Sequence, residues 1–421
     1  MKKLLIVATS ALALAGTASA QVAKTANVEQ IGSSNLADID QTAGNQALAD
    51  IEQDGAGNSA SIEQMDNASS GLFATAANDA SIKQIGANTL ASIVQTGEAA
   101  AAAPNIATID QYGSGVAQGA TGIPSGASLD ATIEQSGTAN TSGIIQSAGT
   151  PGSGFTATST QFGDANSSAI EQFDATFEVN PYSASRVDQT GSQNVSDVLQ
   201  GGVNSFAFVT QNGDENSSDV SQNFGSDQYV NVTQNSHTSQ SYVDQEGNSV
   251  TATVVQGVSG QHYSDVWQRS GADDASAIVD QMGAHHFSYI EQSNDSASAF
   301  VVQNDVGNIS RVTQNAGLFA DAYVNQFGEW GTSKITQAGD YQQASVVQSG
   351  LTNESLLEQD QGGLGSGVGN FASVIQSSDI NTSTILQSGD ANSTIVTQTV
   401  AGGNASIVSQ VGSSHSATVS Q

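Results

Sequence analysis

Glutamine recurs along this chain at Gln30, Gln41, Gln53, Gln64, Gln84, Gln95 and onward to Gln421. Those that close an alternating small–aliphatic–Gln pattern number 32, and 19 of the 31 intervals between them are 11 residues, with five more of 12. Ile or Val sits two residues before the Gln in 30 of the 32 cases, and Ala or Ser sits four residues before it in 30. So regular a repeat means one short unit copied along an axis, and this constrains the fold before composition does.

Within a unit, as in Ala37-Ile39-Gln41 or Ala344-Val346-Gln348, the recurring residues are spaced by two. That places them on one face of a β-strand. A helical supercoil with an 11-residue period is the competing reading. It fails because nearly every unit holds Gly or Asn, and the aliphatic residues are almost all β-branched. After the Gln comes a turn, Gln-x-Gly-x-x-Asn, with glycines at Gly32, Gly137, Gly163, Gly191, Gly213 and Gly350, and a related Gly86. Gly reaches positive φ cheaply, and Asn bonds its own backbone or tolerates the left-handed region.

Strand, turn, strand, turn predicts an all-β, cross-β solenoid with two strands per turn and about 16 turns of 22–23 residues. Equivalent residues then lie above one another, so amides face inward in columns and bond along the axis. A buried amide is tolerable only when paired, and the copy above supplies the partner. The ladder expected on this ground comprises Gln30, Asn35, Gln41, Gln53, Gln64, Gln84, Gln95, Gln135, Asn140, Gln146, Gln161, Asn166, Gln172, Gln189, Asn194, Gln200, Gln211, Asn216, Gln222, Gln348, Asn353, Gln359, Gln387 and Asn392. Alternation of Ala131, Ser142, Ala157 and Ser168 separates two strand types and suggests the pairs Gln30/Gln41, Gln53/Gln64, Gln84/Gln95 and Gln135/Gln146. In that phase a strand is missing after Gln111, with Ser114-Val116-Gln118 its best candidate, giving 33 strands. The long insertions, such as Ser69–Ala77 and Gln361–Gly369, then all fall on one edge.

Residues 1–20 read as a secretory signal peptide: Lys2 and Lys3, an apolar run Leu4–Ala15, and small residues at Ala18 and Ala20 before the cleavage point. Residues 21–421 form the repeat domain. The chain has no cysteine, hence neither a disulfide framework nor a thiol for a lipid anchor, and no second apolar stretch. Without Lys2 and Lys3, six basic residues stand against 40 acidic ones. Such a surface disfavours nucleic acid, which needs cationic contacts. The outward acids at Gln−1, among them Glu52, Asp110, Asp244 and Glu291, read as solubilising gatekeepers.

No catalytic or cofactor constellation emerges, so an enzyme is not expected. The pair His285-His286 offers two neighbouring imidazoles, too few for a tetrahedral metal site, and reads as a solvated turn. Trp267 and Trp330 read as isolated surface aromatics.

The unit Gln30-Ile31-Gly32-Ser33-Ser34-Asn35-Leu36-Ala37-Asp38-Ile39-Asp40-Gln41 resembles the curlin repeat of curli fibre subunits, and the resemblance extends over nearly the whole mature chain. It implies a functional amyloid of a Gram-negative bacterium, exported through the periplasm and a dedicated outer-membrane pore. It also implies nucleation at the cell surface by a partner subunit, with roles in biofilm matrix and adhesion. The chain departs from the family in having more repeats, and in running from Ala23–Ala26 almost directly into the first strand without a Gly/Asn-rich leader. The strand Ala417-Val419-Gln421 has no cap after it, which predicts self-association end to end into a homopolymer. A monomeric solenoid adhesin or ice-binding-type protein is the second reading, and a polysaccharide-active β-helix enzyme the third.

Overall fold

A computed structural model describes residues 24–42, 47–67, 78–98, 104–113, 128–148, 154–173, 182–257, 259–315, 317–361, 368–400 and 402–421. The signal-peptide segment, with Ala18 and Ala20, lies outside these, as does the candidate strand Ser114-Val116-Gln118. The described chain is all β, a parallel β-solenoid in two compact units, Met1–Glu215 and Asn216–Gln421. Strands are named here by the glutamine that closes them.

In the first unit the strands of Gln30, Gln53, Gln84, Gln111, Gln146, Gln172 and Gln200 form one parallel sheet. Those of Gln41, Gln64, Gln95, Gln135, Gln161, Gln189 and Gln211 form the other. Successive strands alternate between the sheets, so two strands make one coil. The second unit repeats the plan with nine strands per sheet, beginning at Gln222 and Gln234 and ending at Gln410 and Gln421. Register is set by the repeat itself: Ala49, Ile51 and Gln53 pair with Ala80, Ile82 and Gln84, and farther on Ala277, Val279 and Gln281 pair with Ala299, Val301 and Gln303. A slip of one residue would turn every Ile and Gln outward.

Two sequence expectations are corrected. Gln135 stacks on Gln95, and Gln146 on Gln111, so Gln135 closes a strand of the second sheet and does not open a coil with Gln146 as the suggested pairing had it. The described strands number 32, and the candidate for a further one lies outside the described residues. Nor do the insertions share an edge. Those after Gln64 and Gln95 lead from the second sheet to the first, whereas those after Gln111, Gln146, Gln172 and Gln359 lead from the first to the second. Loop closure cost grows only slowly with length, so a long connection can replace a turn at either edge without disturbing the stack.

The core is thin. Ile51, Ile62, Ile82 and Ile93 are fully buried, with Ala at the neighbouring inward position and Gln at the end of each strand. At some coils the inward residue six before the Gln is not Asn. Leu129 and Phe155 pack there with Ala148, and Val250, Ala275 and Ala297 with Ala272, so apolar plugs replace the amide at those edges.

Turn geometry is more demanding than Gly alone suggests. The residue seven before the Gln also takes positive φ, and it is often not glycine: Ala139, Ala165, Thr352, Trp330 and Ile380 all do so, with φ between 54° and 58°. The left-handed region costs roughly 1–2 kcal/mol for an ordinary residue and more for a β-branched one. Ile380 is 62 % exposed, so no burial compensates. Ile380→Asn is therefore expected to raise stability by about 1 kcal/mol in a denaturant titration. Ile380→Val, which keeps the branching, should leave it unchanged.

Candidate functional site: the amide ladders

Each glutamine amide ties the solenoid together in two directions. Gln84 Nε2 donates to Gln111 Oε1 at 2.9 Å along the axis and to the Ser59 carbonyl of the facing sheet at 3.0 Å. Gln135 Nε2 likewise reaches Gln161 Oε1 at 2.8 Å and the Ile106 carbonyl at 3.0 Å. In the second unit Gln281 Nε2 donates to Gln303 Oε1 at 2.9 Å and to the Tyr263 carbonyl at 3.0 Å. The facing carbonyl can accept only from nitrogen, which locks the amide against flipping. Within each unit the axial bonds among the described residues therefore run the same way, Nε2 of one coil to Oε1 of the next, as in Gln30→Gln53 and Gln41→Gln64 of the first and Gln387→Gln410 and Gln398→Gln421 of the second.

Of the expected ladder glutamines, Gln53, Gln64, Gln84, Gln95, Gln135, Gln146, Gln161, Gln172, Gln189, Gln200, Gln211, Gln222, Gln348, Gln359 and Gln387 are buried. Gln30 is exposed and Gln41 only half-buried, though both join the columns through Gln53 and Gln64. They stand on the first described coil, with no further coil packed outside them among the described residues. Gln421, with Ala417 and Val419 half-buried beside it, lies on the last described coil of the second unit and is exposed.

The asparagines work differently from the expectation of amide bonding amide. Asn140 Oδ1 accepts the backbone N–H of Asn166 at 3.0 Å, and Asn140 Nδ2 donates to the Gly163 carbonyl at 2.8 Å. Asn166 repeats this toward Asn194 and Gly191, as does Asn392 toward His415 and Gly412. Asn194 Nδ2 reaches the Gly213 carbonyl, Asn353 Oδ1 accepts the Asn381 N–H, and Asn216 Oδ1 accepts the Ser239 N–H. Asn35 is half-buried and caps Asn58. The Asn side chain is too short to meet its copy fully, so it satisfies the turn backbone one coil on, and only secondarily an amide, as Asn166 Nδ2 does to Asn140 Oδ1 at 3.2 Å.

The expected turn glycines all have positive φ: Gly32, Gly86, Gly137, Gly163, Gly191, Gly213 and Gly350 lie between 112° and 136°. For Gly163 a Cβ would stand 2.1 Å from the Gly191 carbonyl oxygen, so stacking as well as φ forbids a side chain. Sequence reasoning missed one set of contacts here. Acids three residues after the Gln accept a turn N–H from the coil before, as Asp164 does from Thr138 at 3.1 Å and Asp214 from Ser192 at 2.8 Å. Their spacing behind the Gly was the available signal.

Outward carboxylates pile up with the strands. Burial, then Glu52 and Asp79, raise the Asp50 carboxyl. Burial pushes Asp265 up to about 6, against the Trp267 and Arg269 contacts that lower it. Among the described residues no group of three or more His, Asp or Glu side chains could hold a metal ion. Nor, among the described residues, is any helix long and apolar enough to cross a membrane. Trp267 is half-buried under Arg269, whose guanidinium lies 4.0 Å from the ring centre, and Trp330 occupies a turn, 55 % exposed. His286 is not the solvated turn residue expected; it is 1 % exposed, because it takes the inward place of an asparagine.

Fold and ladders together define a parallel β-solenoid of the structural-repeat class. Residues 25–55 match the family model of the curlin associated repeat. No curated protein matches the chain.

Proposed function

We propose that the mature chain is a secreted structural subunit, not an enzyme, which polymerises head to tail into extracellular curli-like amyloid fibres serving biofilm matrix and adhesion. One observation carries this reading: the ladders are polar. Among the described residues, nothing donates to Oε1 of Gln30 or Gln41 on the first coil. A coil that offers Nε2 on one side and Oε1 on the other complements a copy of itself, and open strand edges template pairing. A curli-type pore and a nucleator subunit are the partners such a role requires, and the surface of a Gram-negative cell is the place. The strongly acidic composition keeps chains apart before addition.

The test compares purified mature protein with a Gln30→Lys/Gln41→Lys variant, which removes both acceptors from an already exposed coil. Wild type should form fibres with a meridional reflection near ~4.8 Å after a lag that seeds abolish. The variant should keep the same far-UV spectrum yet elongate at least roughly tenfold more slowly, the effect of losing about 1.4 kcal/mol at the joint. Wild type that stays monomeric for days at high concentration would replace this reading by the monomeric adhesin. Equal elongation rates would remove the ladder ends from the mechanism.

A further inference from the structure

Three of the five histidines occupy the asparagine position of the ladder: His262, His286 and His415, each six residues before its Gln. His286 reproduces the asparagine's bonding. Its Nδ1 accepts the backbone N–H of Asn308 at 3.2 Å, so the ring proton sits on Nε2, which bonds the Met282 carbonyl at 2.8 Å. His415 Nε2 meets the Val411 carbonyl in the same way, at 3.0 Å. His262 lies one coil before His286, 1 % exposed, and the two rings stack with centres 5.2 Å apart and planes 12° from parallel. No hydrogen bond of ordinary geometry reaches either ring nitrogen of His262, and the backbone at Gly283 and Ser259 favours its charged form less than burial opposes it.

We propose that His262 and His286 form a proton-sensitive joint in the second unit, closed when both imidazoles are neutral and opened by acid. Asparagine can fill this position at any pH. Imidazole can do so only as the neutral tautomer, because a proton on His286 Nδ1 would confront the Asn308 N–H, donor against donor. A charge on either ring would be buried and would face its stacked neighbour.

The groups around the pair do not reverse this. His285, in the same turn as His286, adds to the repulsion; Asp305, in the next turn, favours the charged form of His286 but is outweighed by burial. His237 in the preceding turn is exposed. Burial first, then His286 and His285, lower His262 from 6.5 to about 4, and burial lowers His286. The folded values lie below the unfolded one, so the unfolded state binds more protons as pH falls from 6.5 toward 4, and stability is lost through that window. Outward carboxylates raised by burial act with the opposite sign, gaining stability on acidification, so the joint is read by difference.

The experiment measures hydrogen–deuterium exchange of segment 282–308 in the full mature chain, corrected for intrinsic rates, at pH 7.5, 6.5 and 4.5. In wild type, protection should fall between pH 6.5 and 4.5 by on the order of 10- to 100-fold. His262→Asn/His286→Asn restores the ladder residue and should change less than about twofold, given the shift it removes. The same pH dependence in both proteins would overturn the proposal. As a check that needs no variant, the ring resonances of native His262 should titrate below pH 5; titration at 6.5 or above would equally overturn it. The outcome does not depend on whether the chain polymerises.

Discussion

Gln281→Leu is expected to cost about 3–6 kcal/mol, a large share of the ~5–15 kcal/mol that holds a typical domain together. Leucine matches the volume but removes three bonds at once. Gln256 Nε2 loses its axial acceptor at 3.0 Å, Gln303 Oε1 its donor at 2.9 Å, and the Tyr263 carbonyl its donor at 3.0 Å. Each buried group left unpaired costs roughly 1–3 kcal/mol. The control is Gln343→Leu: that glutamine points outward and is exposed, so the change should stay within about 0.5 kcal/mol. Chemical denaturation of both variants checks this. Similar losses would mean that glutamine matters for its propensity and not for its place in a column.

A second large effect is expected from adding one carbon to a turn. Gly163→Ala places a Cβ 2.1 Å from the Gly191 carbonyl oxygen at a φ of 113°, where alanine is strained in any case. Relief requires parting adjacent coils, which opens the Asn and Gln bonds beside the turn. Overpacking of roughly 1–3 kcal/mol adds to backbone strain of about 1–2 kcal/mol. Gly143 supplies the contrast. It lies within the strand Thr141–Ser147 with nothing within 4 Å of its would-be Cβ. Gly143→Ala should stabilise by about 0.5–1 kcal/mol, since glycine in a strand carries only entropy cost. Thermal melts should move in opposite directions; a shared direction would show that stacking distance does not govern the glycine column.

Much of this architecture was legible because identical units stack on themselves. A period of two in Ala-x-Ile-x-Gln named the inward face, and an 11-residue recurrence named the strand and turn. Stacking like on like then dictated which side chains meet without any knowledge of long-range contacts. The errors came where the repeat lapses. Between Gln111 and Gln135 spacing alone could not tell which sheet Gln135 joins, because connections of different length close at nearly equal cost.

The amide columns, the burial of aliphatics between two sheets and the turn glycines follow from the residues alone, since each is a local pattern repeated. Only the tertiary structure decided that Gln135 lies on Gln95, that asparagine serves the backbone of the next coil, and that His286 is an inward ladder residue. It also decided that the axial bonds within each unit point one way. These depend on the side-chain reach and the facing carbonyls of a neighbouring coil, distances that no spacing along the chain encodes.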